Sequence, residues 1–211
     1  MSSFIAAIFD MDGVIVDNHH YHVESWRKFC AIHSVPFAEK DFRKHYFGKN
    51  NKDILEGLFS NKIPRNEAEK LGEEKEEIYR DLYKPYITPV TGLIPFINRI
   101  RELSIKTAIA TSAPTSNLNF VVDSLGINHL FDVITDISDV SMGKPHPEIY
   151  LKTAERLGVN PVNCIVFEDS LSGIKAAQNA GMSVIGLATT HLPEELPDNI
   201  LIIKDYTRLS L

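Results

Sequence analysis

The residues of this chain whose types and spacing could do chemistry fall into four short clusters. The first is Asp10 and Asp12 in FDMDGVIVD, directly after an apolar run. With one residue between them, both carboxylates stay near the end of a strand, and Gly13 permits a sharp turn after them. A carboxylate can attack a phosphoryl group to give an acyl phosphate, which splits one hard displacement into two easier ones. A second carboxylate beside it can protonate the leaving oxygen and later activate water, given a pKa tuned toward neutrality. D-x-D-G also occurs in turns and calcium loops. The EF-hand alternative fails, because Val14, Ile15 and Val16 follow where that loop needs oxygen donors and a final Glu.

The second cluster is Thr111 and Ser112 after KTAIA, where a hydroxyl and the following N–H groups could bind phosphate oxygens at a helix start. A plain helix cap is an equally common use of such residues. The third is Lys144 in GKPHPEIY, just before a helix opened by proline. It would neutralise charge on the phosphate and on the attacking carboxylate, the ordinary alternative being a solvated surface lysine. The fourth is Glu168 and Asp169 in CIVFEDSLSG. Adjacent carboxylates at the end of an apolar strand are costly unless a cation compensates them. Mg²⁺ fits that need, because it prefers oxygen, accepts one or two carboxylates and keeps places for water and phosphate. An acidic helix start would explain one of the two but not both. The four clusters together supply a nucleophile, an acid/base, a phosphate cradle with one cation, and a metal pair.

These residues need elements to position them. The runs FIAAIF, TAIA, DVIT, CIVF and SVIGL are short, apolar and rich in β-branched residues, and each stops at or next to a polar residue or a small one. Continuous apolar runs, rather than alternation, are what a parallel sheet covered on both faces requires. Between the later runs, Pro147 to Leu157 reads as a helix with Ile149, Tyr150, Ala154 and Leu157 on one face and Gly158 as its stop. A second helix runs from Ser172 to about Ala180 and stops at Gly181. Strand and helix alternate as in a doubly wound α/β domain, whose ligand crevice lies at the carboxyl ends of the strands.

One connection breaks the alternation. The first strand ends near Phe9 and the second begins near Ile105, too far apart for a simple βα unit. The intervening residues read as helices: Val23, Trp26, Phe29 and Cys30 at helical spacing, then DILEGLF, then the charged EAEKLGEEKEEIYRDLYK, with PYITPVTG as the return. The expected organisation is therefore a core of residues 1–17 and 85–211 with a helical cap of residues 18–84 inserted after the first strand.

Composition excludes several classes of function. With 22 Lys plus Arg against 28 Asp plus Glu, the net charge of -6 offers no global field for a nucleic-acid backbone, so nucleic acid is not an expected partner. The apolar run at the N-terminus is cut by Asp10 and lacks a basic flank, so neither a signal peptide nor a membrane span is expected, and the expected location is cytoplasmic. Cys30 and Cys164 have apolar neighbours and no C-x-x-C spacing, which reads as two small buried hydrophobes. P-loop, G-x-G-x-x-G and G-x-S-x-G signatures are all missing, against triphosphatase, dehydrogenase and esterase alternatives.

DMDGVIVD, Thr111, Lys144 and Glu168–Asp169 together resemble the four motifs of the haloacid dehalogenase-like superfamily. FDMDGVIVDNHHYHVESW, the inserted helices, GKPHPEIYLKTAERLGVNP and EDSLSGIKAAQNAG look like its β-phosphoglucomutase-like phosphatase branch, and the resemblance spans essentially the whole chain. It implies a Rossmann-like core and a helical-bundle cap that closes over the substrate. Asp10 would be the nucleophile and Asp12 the acid/base. Mg²⁺ would be held by the Asp10 side chain, the Asp12 carbonyl and Asp169, with Glu168 a ligand or a partner behind the ligands. Thr111, Ser112 and Lys144 would hold the phosphate. His22 matches a cap histidine that couples closure to chemistry in the mutases, a packed helix histidine being the equal alternative. His19 and His22 could ligate a metal only with a third ligand that is not in view, and Trp26 is expected in the cap core.

The sequence departs from the sugar-phosphate mutase at Asn51, where that enzyme carries an arginine for a second phosphate. Asn cannot reproduce bidentate contacts, although Lys49 and Lys52 flank it as point charges. The expected function is therefore Mg²⁺-dependent hydrolysis of a small phosphate monoester, sugar phosphates among the candidates, with a small phosphorylated metabolite as partner. A β-phosphoglucomutase-type hexose phosphate mutase is the alternative. A non-catalytic binding protein on the same fold is a third reading, and it predicts a lost motif where none is lost.

Overall fold

The computed structural model describes residues 4–45 and 51–209. In chain order the elements are β1 (Ala6–Phe9), α1 (His19–Ile32), α2 (Glu39–His45), α3 (Asn51–Leu58), α4 (Arg65–Tyr83), α5 (Leu93–Glu102), β2 (Lys106–Ala110) and α6 (Thr115–Leu125). They continue with β3 (Val133–Thr135), α7 (Glu148–Leu157), β4 (Cys164–Glu168), α8 (Leu171–Asn179), β5 (Ser183–Leu187) and β6 (Leu201–Ile203). The chain forms two units, Met1–Asp17 with Ile87–Leu211, and Asn18–Tyr86.

The first unit is a parallel sheet of six strands in the order β3-β2-β1-β4-β5-β6. β1 lies at the centre, flanked by β2 and β4, and the direction of winding reverses there. That reversal opens a crevice at the carboxyl ends of the strands. β1 and β4 are wholly buried, which is why their sequences are unbroken apolar runs. Their alternate positions face different layers. Ala6, Ile8, Ala108, Ala110, Cys164 and Val166 share one core with Ile149, Tyr150, Ala154 and Leu157 of α7 and with Ile174, Ala176 and Ala177 of α8. Three alanines on this face leave room for the large Tyr150 side chain. On the other face, Phe9 stacks on its register partner Phe167 with ring centroids 4.7 Å apart, and Phe96 of α5 and Tyr206 close around them. Such ring contacts add roughly 0.5–1.5 kcal/mol beyond the area they bury.

Several edges differ from the sequence reading. Pro147 precedes α7 rather than opening it, and α8 starts at Leu171, capped by Ser170 Oγ, which accepts from Gly173 N–H at 3.0 Å. The sequence reading assigned neither α5, whose Leu93, Phe96, Ile97 and Ile100 lie on one face, nor the three-residue edge strand β6.

The second unit holds α1 to α4. Trp26, Phe29 and Cys30 of α1 pack with Phe42, Ile54, Leu55, Ile63 and Ala68 in a core of its own. Trp26 thus belongs to that core, as expected. α4 is charged along most of its length, yet it buries Lys75, Glu76, Tyr79 and Tyr83. Among the described residues no helix is long and apolar enough to cross a membrane.

Candidate active site

The site starts from the turn after β1. Asp10 N–H donates to the Phe167 carbonyl of β4 at 3.0 Å, which carries the strand pairing one residue beyond β1. Gly13 then takes φ +75°, and Met11, Val14, Ile15 and Val16 fold inward without exposure. A Cβ at Gly13 would collide with the Asp169 carboxylate, so glycine serves both the turn and the close approach. Thr189 Oγ donates to the Gly13 carbonyl at 2.6 Å and ties the turn to the end of β5.

Around Asp10 the structure brings together three of the four sequence clusters. Lys144 Nζ lies 2.6 Å from Asp10 Oδ1 and 2.7 Å from Glu168 Oε1, with the Ala110 carbonyl at 3.4 Å. Its side chain is 6 % exposed, so the surface-lysine alternative is excluded. Asp169, buried beside Glu168, accepts from the Thr190 hydroxyl. Carboxylate oxygens of Asp10, Glu168 and Asp169 all lie within 4.8 Å of one another, and they form the only such group among the described residues. Among the described residues, His19 and His22 therefore belong to no group of three such ligands.

The electrostatics follow from burial. Desolvation is the largest cause pushing Asp10 up to about 8; Lys144 opposes it, and the Glu168 and Asp12 charges add to it. Asp169 rises well above the ordinary carboxylate range by burial and by the charges of Glu168 and Asp10. Burial also works to raise Glu168, but Lys144 and the hydrogen bonds from Lys144 and Ser170 override it and hold Glu168 below its ordinary value. Burial opposes the charge on Lys144, yet Asp10 and Glu168 keep its pKa well above normal. With all three buried carboxylates ionised against one ammonium, two negative charges would be left unbalanced. A divalent cation preferring oxygen ligands matches that donor set in both charge and chemistry.

The remaining candidates are placed as follows. Asp12 is half-buried and forms a parallel bridge with Val16. Thr111 is buried at the end of β2, its N–H bonded to the Thr135 carbonyl and its Oγ accepting from Ala113 N–H at 3.0 Å. Ser112 is exposed. The helix expected to start at this pair begins instead at Thr115, because Pro114 occupies the position before it and the Thr111 hydroxyl folds a separate turn. Thr111 and Ser112 are thus a turn at the strand end and not the cap of α6.

In the helical unit, His22 Nδ1 lies 3.0 Å from Lys75 Nζ, and its ring stacks on Tyr79 at 3.9 Å. Lys75 is also paired with Glu76 at 3.0 Å, and Asn51 Nδ2 donates to the same Glu76 oxygen at 2.8 Å. Lys52 is exposed and lies 3.9 Å from Glu56. Lys49 lies outside the described residues.

Sequence reasoning passed over four residues at these places. Tyr150 was read only as core, and Ser170, Thr190 and Lys75 carried no signal of their own. A buried tyrosine at the start of a helix that follows Lys144 was the one available hint, since a buried phenol needs a partner.

The chain is similar to known proteins over most of its length. The haloacid dehalogenase-like hydrolase family matches residues 6–181. A phosphorylated carbohydrates phosphatase of Thermotoga maritima is 33% identical over 184 residues, covering 85% of this chain and 83% of that protein. The β-phosphoglucomutase of Bacillus subtilis is 31% identical over 191 residues, covering 86% and 82%. Among solved structures, a haloacid dehalogenase hydrolase of family IA, variant 3, from Entamoeba histolytica superposes with a TM-score of 0.91 at 32% identity, covering 98% of this chain and 95% of that one. With the parallel sheet, the inserted helices and the Asp10–Lys144–Glu168–Asp169 cluster in place, the chain belongs to the haloacid dehalogenase-like hydrolases, in their β-phosphoglucomutase-like phosphatase branch, and is a phosphoryl-transfer enzyme.

Proposed function

We propose that this protein is a Mg²⁺-dependent phosphatase that hydrolyses a small phosphate monoester, a sugar phosphate among the candidates, through an aspartyl-phosphate intermediate in the cytoplasm. The observation that carries the proposal is Lys144 bridging Asp10 and Glu168 inside a buried acidic group. An Asp10 carboxylate oxygen attacks phosphorus, and the bond to the leaving alkoxide breaks. Asp12 gives that alkoxide its proton, then takes one from the water that attacks the aspartyl phosphate, so that inorganic phosphate leaves and both residues return to their starting states. Lys144 orients Asp10 and favours its anionic form against the burial that opposes it. Thr111 and Ser112 hold phosphate oxygens at the strand end. The cation, held by the side chains of Asp10 and Asp169 and the carbonyl of Asp12, would supply charge neutralisation at the phosphoryl oxygens when bound.

Restriction to one phosphate is supported by Asn51, whose amide is directed to the Glu76 carboxylate. With its amide engaged by Glu76, Asn51 offers no bidentate donor for a second phosphate there. The test is a panel of phosphorylated metabolites with Mg²⁺, including sugar phosphates, nucleoside monophosphates and pyrophosphate. Release of phosphate from monoesters is expected; release from none would overturn the reading.

A hexose phosphate mutase is the second reading, favoured by His22 held against Lys75. β-Glucose 1-phosphate with a bisphosphate primer decides it, since formation of glucose 6-phosphate would identify a mutase.

A further inference from the structure

Asp136 is a buried carboxylate just past the end of β3, and the proposed reaction does not use it. Its two oxygens serve different segments. Oδ1 accepts from Ser138 N–H at 2.8 Å and from Ser138 Oγ at 2.6 Å, and Asp139 Oδ2 in return accepts from Asp136 N–H at 3.0 Å. The short turn after β3 is closed by these bonds and braced against α7, where Arg156 Nη2 lies 2.5 Å from Asp139 Oδ1 and Lys152 Nζ donates to the Asp139 carbonyl at 2.6 Å. Capping its own turn occupies Oδ1. Oδ2 accepts instead from the hydroxyl of Thr115, the first residue of α6, at 2.5 Å.

That bond is not needed to start α6, because the Pro114 carbonyl already accepts from Asn117 N–H and Leu118 N–H. What it does is grip the far end of the turn between β2 and α6. The near end is held by Thr111 N–H on the Thr135 carbonyl at 3.0 Å, so consecutive residues at the end of β3 hold Thr111 and Thr115. Inside the turn, Thr111 Oγ accepts from Ala113 N–H, which leaves the single Thr111 hydroxyl proton to be donated elsewhere. Ser112 stands exposed between them. A carboxylate acceptor makes the Thr115 bond stronger than a neutral one would.

We propose that Asp136 is a positioning residue for phosphate binding, which acts through Thr115 to set the turn that presents Thr111 and Ser112 to the phosphate. The inference rests on the role proposed above for Thr111 and Ser112. It places a specific demand on a residue outside the acidic group around Asp10.

Calorimetry with inorganic phosphate in the presence of Mg²⁺ tests it on the full-length protein, with p-nitrophenyl phosphate as the turnover probe. Thr115→Val keeps the side-chain shape and removes the donor; it should weaken phosphate binding about 5- to 10-fold through misplacement of the turn. Thr115→Ser restores the hydroxyl and should bind within about 2-fold of the parent. In Thr115→Val, KM should rise with kcat within about 3-fold of the parent, the pattern of lost binding. In Asp136→Ala the partner is gone, so adding Thr115→Val to it should change phosphate affinity by less than about 2-fold. Unchanged phosphate affinity in Thr115→Val, with a lowered Tm alone, would show a brace for the fold and overturn the proposal. So would a Thr115→Ser variant as weak as Thr115→Val, or a parent that binds no phosphate. Independent, multiplying losses in the double variant would overturn the route through Thr115. Should the parent bind phosphate yet hydrolyse no monoester, the phosphatase reading fails while the ranking of phosphate affinities still judges Asp136.

Discussion

At the scale of single residues, the chemistry concentrates on Asp10, whose carboxyl is pushed to about 8 from an ordinary value of 3.8. Asp10→Asn keeps the shape and removes the nucleophile, so turnover should fall by a factor on the order of 10³ or more with an unchanged circular dichroism spectrum. Asp12→Asn should cost about 10²- to 10⁴-fold by removing proton transfer. Retained activity in either would refute its role. The raised pKa also predicts a pH dependence. Between 3.8 and about 8 the metal-free folded protein holds a proton on Asp10 that the unfolded chain has lost. This contribution to stability is fully present below 3.8 and disappears as pH rises through about 8. A bound cation replaces that proton. The gain in Tm on saturating with Mg²⁺ should therefore be larger at pH 8 than at pH 6, and equal gains in a thermal scan at the two values would contradict the argument.

At the scale of elements, α8 does more than cover the sheet. Ser170 caps it and bonds Glu168, and Gly173 in its first turn lies against the same carboxylate. Gly173→Ala would gain helix propensity of about 1 kcal/mol at an open position. Here the added methyl must displace Glu168, and overpacking of this kind costs roughly 1–3 kcal/mol. We expect a lower denaturation midpoint together with loss of most turnover, because Lys144 moves with its anchor. α3 and α4 make a corresponding prediction in the helical unit, where Asn51 is engaged by Glu76. Asn51→Arg alone should pair with Glu76 and leave affinity for a sugar bisphosphate within about 2-fold. Combined with Glu76→Gln, the same change should tighten it by about 5-fold or more, measured by calorimetry.

At the scale of the whole molecule, stability is expected to follow the sheet. β1 and β4 are buried on every residue and paired on both sides, whereas β3 and β6 are three-residue edges. Amide exchange should be slowest in β1 and β4 and fastest at the edges, since local opening tracks buried contacts and paired neighbours. Comparable protection in β6 and β1, read by mass spectrometry, would argue against this ranking.

The sequence by itself determined the parallel α/β core and the residues that carry charge at the strand ends. Buried parallel strands must be unbroken apolar runs, and a carboxylate that ends such a run is too costly to be incidental. β6 escaped because a three-residue edge strand leaves too little periodic signal, whereas α5 was passed over although Leu93, Phe96, Ile97 and Ile100 fall at helical spacing. The roles of Tyr150, Ser170 and Thr190 were decided only by tertiary structure. Each lies on or next to an element whose own pattern is satisfied by packing or capping, and only the folding of α7 over the sheet places the Tyr150 hydroxyl on Glu168. The same holds for Asn51. Its identity announced that a bidentate arginine was missing, but its partner Glu76 lies 25 residues along the chain, and no spacing rule connects α3 to α4. Local pattern reports what a residue can do, whereas contacts between distant segments determine which of those things it does.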